Sequence, residues 1–233
     1  MKYKFEDGVF DIEPTPWREA NLKLDSNGME VVQTDYEFDR KDDKSVQKYF
    51  SKVARDIWTE DLSFCLAKML RRPESEPNGI KTTRYVHSDF SSTYELDLSE
   101  GSLASQVFPN FKKGDWFRIT GFWINCGPKH TGAPLILSDL ETVDHKVYET
   151  AAKRIPPLNP YQVSLFPNYD EKIKWYAFDD LEPNEILLIK HHNRYDAKAH
   201  AFHSGPVDPD KTKPQRVSCD GRVFTVKKTK NAS

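Results

Sequence analysis

His87-Ser88-Asp89 sets an imidazole and a carboxylate two residues apart, in a stretch rich in Thr, Tyr and Val. Residues i and i+2 of an extended strand point to the same face, so the two groups project side by side. They make up two members of a 2-His-1-carboxylate set, which grips iron(II) and leaves three positions open. Alone the tripeptide is a weak signal, because short motifs arise by chance and a surface His–Asp pair needs no metal. Two downstream groups sharpen it. The segment His200-Ala201-Phe202-His203 offers a distal imidazole at either histidine. Arg216-Val217-Ser218, again at strand spacing, sets a guanidinium and a hydroxyl on one face. A planar guanidinium holds a carboxylate through two parallel hydrogen bonds, and a hydroxyl adds a third. A lone Arg216 reads as an ordinary surface arginine. H-x-D, a distant His and R-x-S, in that order, suit a protein that chelates the keto-acid end of 2-oxoglutarate on a metal and holds its far carboxylate on Arg216.

Elements that could position these groups follow from the hydrophobic pattern. Residues 1–38 read as short extended pieces with turn chemistry at Gly8 and Ser26-Asn27-Gly28. Val46, Phe50, Val53 and Ile57 form one apolar stripe, predicting a helix over 44–58. A second helix, about 60–70, is expected after Thr59, with Leu62, Leu66, Met69 and Leu70 inward and Arg71-Arg72-Pro73 ending it. From there the period changes. Strands are expected at 81–90, 116–125, 134–137, 173–178, 185–191 and 222–227, and a proline-bearing surface loop at 155–168. Many short strands between Pro, Gly and Asp turns predict a barrel or sandwich. The expected class is α+β: one domain over 1–233, with 1–80 as strands and bracing helices and 81–227 as the catalytic core.

Composition narrows the function. Thirty-four basic against 36 acidic residues leave a net charge of −2, without the basic excess of a phosphate-backbone binder, so nucleic acid is not an expected partner. No run of 18 apolar residues exists, so no membrane partner is expected either. Met1–Phe10 has no signal-like apolar stretch, and Cys65, Cys126 and Cys219 form no C-x-x-C pair. Both point to a reducing, cytoplasmic setting. Phosphate loops, G-x-G-x-x-G, G-x-S-x-G and H-E-x-x-H are all missing. His191-His192 reads as a solvated pair at a strand end, since strand neighbours face opposite ways.

Four segments carry a resemblance to the iron(II)/2-oxoglutarate-dependent oxygenases. More narrowly, the chain is similar to the gibberellin-desaturase-like group, which includes the cephamycin methoxylation protein and fungal hydroxylase/desaturases. Tyr85-Val86-His87-Ser88-Asp89 matches a V-H-x-D core. Phe122-Trp123 and Ala133–Asp139 resemble N-V-W-R-P and P-L-A-L-C-D. Lys174-Trp175-Tyr176 and Glu185–Lys190 are like W-Y-Y-F and E-V-L-L-F-K. Phe202-His203-Ser204-Gly205 with Asp208-Pro209, then Arg216-Val217-Ser218 and Arg222, are like P-H-T-A-F-x-D-P and its sequel. The likeness spans about 80–225. It departs where Gly121 stands for Asn, Ile124 for Arg and Phe202 for Pro.

The resemblance implies a double-stranded β-helix, or jelly-roll, with Fe(II) held by His87, Asp89 and His203. His203 is preferred to His200 because Ser204-Gly205 and Asp208-Pro209 then fall into register. Arg216 and Ser218 would hold 2-oxoglutarate. With O2 the enzyme would hydroxylate, desaturate or cyclise a small metabolite through a ferryl species, releasing succinate and CO2; a carboxylate ligand argues against halogenation. Arg84, Trp123, Asn125, Lys190 and Arg222 are candidate substrate contacts. The cations among them suit a substrate bearing a carboxylate, although each also reads as a surface ion pair, and Trp123 as core. A homodimer is compatible with the sequence. The rival readings are a non-enzymatic cupin-like binding protein and an iron oxygenase that does not use 2-oxoglutarate.

Overall fold

The computed structural model describes residues 3–5, 8–10, 12–71, 82–84, 86–90, 94–144, 152–153, 163–165, 171–194, 196, 201–206 and 210–227. In chain order its elements are β1 (Tyr3–Phe5), β2 (Gly8–Phe10), β3 (Thr15–Pro16), α1 (Leu24–Asn27), β4 (Met29–Gln33), α2 (Asp43–Ile57), β5 (Asp61–Arg71), β6 (His87–Ser88), α3 (Leu103–Val107), β7 (Phe117–Asn125) and β8 (Leu135–Ser138). Then come β9 (Ala152–Lys153), β10 (Val163–Leu165), β11 (Trp175–Phe178), β12 (Glu185–Asn193), β13 (His203–Ser204) and β14 (Ser218–Lys227). One sheet runs β4-β12-β7-β14-β5 and the other β3-β11-β8-β13-β6-β10-β9. Pairing is antiparallel except where β3 meets β11. Two sheets of this kind packed over one core form a jelly-roll. No described helix is long and apolar enough to cross a membrane.

The five-stranded sheet is buried on both faces, which explains why its central strands are almost continuously apolar. Along β12, Ile186 and Leu188 join one cluster, while Leu187 and Ile189 join another. Along β7, Phe122 and Ile124 divide from Trp123 in the same way. The first cluster lies under α2, whose Val46, Tyr49, Phe50, Val53 and Ala54 all belong to it. Asp42 caps this helix by accepting a hydrogen bond from the Ser45 amide at 2.8 Å. The expected stripe is therefore present, except that Ile57 is exposed at the last turn. Ile124 explains one departure from the oxygenase pattern, since it faces the helix cluster rather than the space between the sheets.

Phe50 is fully buried, with its ring 5.6 Å from Phe122 in an edge-on arrangement. Phe50→Ala is expected to cost about 3–5 kcal/mol, the range for emptying a buried aromatic site. Urea unfolding should show a lower midpoint at unchanged slope. A loss under about 1 kcal/mol would mean that α2 does not anchor the sheet.

The expected helix at 60–70 is instead β5. It pairs with β14 along its length, from Asp61↔Lys227 to Arg71↔Ser218. Its register shifts between Arg222 and Val223, leaving Leu66 as an extra residue opposite them. A bulge moves a strand's alternation by one position, so the sequence here lacks the unbroken period of two that marks a strand. Leu62, expected inward, is 45% exposed, whereas Ser63 and Cys65 are buried. The strand expected at 81–90 is regular only at β6 among the described residues. The loop expected at 155–168 contains β10, which pairs with β6 through Leu165↔His87 and Ser164↔Ser88. Within the N-terminal part, β3, β4 and β5 extend the two sheets.

Candidate metal centre

β6 and β13 are adjacent, and His203 is the register partner of His87. Directly opposed residues share a face, which brings the two imidazoles to a centroid separation of 4.3 Å. Asp89, two residues after His87, joins them: its Oδ1 lies 3.3 Å from His87 Nε2 and 3.6 Å from His203 Nε2. One potential ligand atom from each of the three falls within 4.8 Å of the others. His203 Nδ1 is 3.2 Å from the Ala201 carbonyl oxygen. A carbonyl only accepts, so this contact assigns the proton to Nδ1 and leaves the Nε2 lone pair directed at the cluster. Metal-bound histidines are oriented in this way by a second partner.

The histidines open onto a cavity between the sheets. Thr83, Ser204 and Gly205 line it on their side, and Trp123, Ile189, His191, Asp220 and Arg222 on the facing sheet, with Leu135 and Arg216 completing the wall. Arg216 Nη1 donates to the Ala133 carbonyl at 3.1 Å. Its guanidinium packs on the bare backbone of Gly205, where a Cβ would stand 3.2 Å from Nη1. Ser218 is not on the cavity wall, but it shares the β14 face with Asp220 and Arg222. Its hydroxyl is completely buried, with no hydrogen-bond partner among the described residues. A buried orphan hydroxyl costs roughly 1–3 kcal/mol and calls for an explanation; a ligand beside Arg216 would supply one. A His-His-Asp donor set, a guanidinium at the cavity wall and an unsatisfied hydroxyl fit iron(II) and a dicarboxylate keto acid.

The substrate candidates separate. Trp123 and Arg222 are on the cavity wall, and Arg84, Asn125 and Lys190 are not. Asn125 shapes the following turn, accepting from the Gly127 amide and donating to the Pro128 carbonyl. Lys190 is buried, its ammonium 2.7 Å from Asp196 and 2.9 Å from the Asp25 carbonyl. Arg222 binds both Asp89 and Asp220. Burial works against its charge, but the two carboxylates prevail and raise its pKa. Burial would raise the Asp89 carboxyl, yet the Arg222 charge, the largest opposing influence, holds it well below the usual carboxylate range. His200, Tyr85, Asp208 and Pro209 lie outside the described residues.

His191 and His192 are not solvated; they are 0% and 2% exposed. Burial, then the Arg222 charge, pushes His191 well below the usual imidazole range. The β12–β7 register shifts between Lys190 and His192. His191 is the extra residue of that bulge, which re-aims it into the cavity. Simple alternation does not reveal this. The one sequence signal is Gly121, standing where the resembling group has Asn. A Cβ at 121 would collide with His191 Nε2.

Comparison with known proteins agrees with this architecture. Residues 2–226 match the family model described as Oxidoreductase/YMDC permease-like domain. No curated protein matches the chain. Among solved structures, the iron and alpha-ketoglutarate-dependent endoperoxidase NvfI is similar, with a TM-score of 0.70 and 19% identity over 92% of this chain and 84% of that one. A variant of NvfI with one tryptophan changed to phenylalanine gives 0.72 and 18% over 94% and 84%. A third structure, of NvfI in a different conformation, gives 0.72 and 17% over 97% and 91%.

Proposed function

The chain belongs to the Oxidoreductase/YMDC permease-like domain family, and from that premise we propose that it is an iron(II)- and 2-oxoglutarate-dependent oxygenase acting on a small organic molecule. The observation that carries this reading is the clustering of His87, Asp89 and His203, with both histidines on the wall of a cavity that Arg216 also lines. The fold shared with an iron and alpha-ketoglutarate-dependent endoperoxidase supports it. Because strands from before residue 80 extend both sheets, we take 1–233 as one catalytic unit.

The two Nε2 atoms and Asp89 Oδ1 would hold the ion, and the Arg216 fork with the Ser218 hydroxyl would receive the far carboxylate of 2-oxoglutarate. Bound there, iron and 2-oxoglutarate would supply an O2-dependent oxidation of a C–H bond, with succinate and CO2 as coproducts. Trp123, Leu135 and Ile189 supply the apolar part of the cavity wall, against which the carbon skeleton of a substrate would lie. Arg222 and Lys190 are already paired with carboxylates, so a carboxylate on the substrate draws no support from them. Hydroxylation, desaturation and ring closure all remain within the same chemistry.

With Fe(II), ascorbate and a metabolite panel, the protein is expected to release succinate from 2-oxoglutarate, and chelation of the iron should stop it. Turnover that persists with Arg216→Ala would favour iron chemistry without 2-oxoglutarate. Absence of any turnover and of metal binding would leave a binding protein.

A further inference from the structure

Resting on the metal site proposed above, we infer that Arg222 and His191 clamp Oδ2 of Asp89, so that the carboxylate meets the ion through Oδ1 alone. The two oxygens have different surroundings. Oδ1 faces His87 Nε2 and His203 Nε2 at 3.3 and 3.6 Å. Oδ2 accepts a hydrogen bond from Arg222 Nη2 and lies 3.7 Å from His191 Nε2. A movement of less than about 1 Å brings that imidazole to hydrogen-bond length. Asp89 follows β6 in one sheet, while both clamping groups come from the other, so the clamp joins the sheets across the cavity.

The arrangement is built around one glycine. On the five-stranded sheet Gly121 is the register partner of Ile189 on one side and of Arg222 on the other. The β12 bulge turns His191 over it, and only a residue without a Cβ leaves room for the ring. Asp220 Oδ2 holds the same guanidinium at 3.0 Å, fixing its approach to Asp89. A carboxylate with both oxygens free can chelate and take two coordination positions. Held by Oδ2 it takes one, and the three open positions needed for a bidentate keto acid and O2 survive. Arg222 and His191 are therefore positioning residues that act through Asp89.

The test is calorimetric titration of the full chain with Co2+ alone. The parent should bind and His87→Ala should not. Arg222→Met is expected to weaken Co2+ about 10–100-fold, the usual effect of losing a partner behind a ligand. Arg222→Lys, which keeps a donor and a charge, should lose less. Gly121→Ala should also weaken binding, by displacing His191. Asp89→Ala combined with Arg222→Met should bind no worse than Asp89→Ala alone, whereas a merely structural arginine would give additive losses. The clamp is overturned if Arg222→Met and Gly121→Ala bind as tightly as the parent, or if the double variant shows the full sum. Should Arg222→Met fail to fold, the Lys and Gly121→Ala variants decide by the same criteria. Equal binding by the parent and His87→Ala would remove the metal site itself, and the clamp with it.

Discussion

His203→Ala is expected to lose iron affinity by more than the roughly 10–100-fold that removing an outer partner costs, and to lose succinate release with it. His87 and His203 are register partners on adjacent strands, so deleting either leaves one imidazole and a carboxylate in place of three converging donors. Two donors cannot define the open face that the chemistry requires. The same loss should follow His87→Ala. His200→Ala should bind iron as the parent does, because the Nδ1 contact with Ala201 already orients His203 as a ligand. Calorimetry and iron-dependent turnover, measured side by side, decide the matter. If His200→Ala loses the metal while His203→Ala keeps it, the register placed on the downstream segment is wrong.

Two of the three candidate ligands, His87 and Asp89, are legible in the sequence through a short-range rule, and His203 through the resemblance. H-x-D fixes two groups on one strand face, and the order of His203 and Arg216 after it matches a known pattern. The pairing that brings His203 beside His87 is not local, and no spacing rule contains it. Bulges hide the rest. At Leu66 the shift breaks the period of two that marks a strand, and at His191 it turns a residue expected in solvent into part of the cavity. Both errors come from assuming uninterrupted alternation. Gly121 is the trace left in the sequence, since a glycine in the middle of a buried strand implies that something approaches closely. Arg222 reads as a substrate contact in the sequence because it closely follows the R-x-S stretch. Only the three-dimensional arrangement shows that two carboxylates already hold it.

Arg216→Lys is expected to weaken 2-oxoglutarate about ten- to a hundredfold. The guanidinium is held flat by Gly205, by the Ala133 carbonyl and by Trp123, whose ring centre is 6.0 Å away. A point ammonium cannot offer two parallel donors from that position. Losing one charge-assisted hydrogen bond corresponds to roughly 1.5–3 kcal/mol, which gives the stated range of affinity. Co2+ binding without 2-oxoglutarate should be unchanged, separating loss of the cosubstrate grip from damage to the metal site. Ser218 makes the test sharper. Its hydroxyl has no hydrogen-bond partner among the described residues, so Ser218→Ala removes a buried cost from the free protein and should leave it as stable or more stable. The same change should still weaken 2-oxoglutarate, because the hydroxyl would find its partner only in the complex. A Ser218→Ala protein that is destabilised yet binds 2-oxoglutarate normally, or an Arg216→Lys protein with unchanged affinity, would take these two residues out of the cosubstrate site.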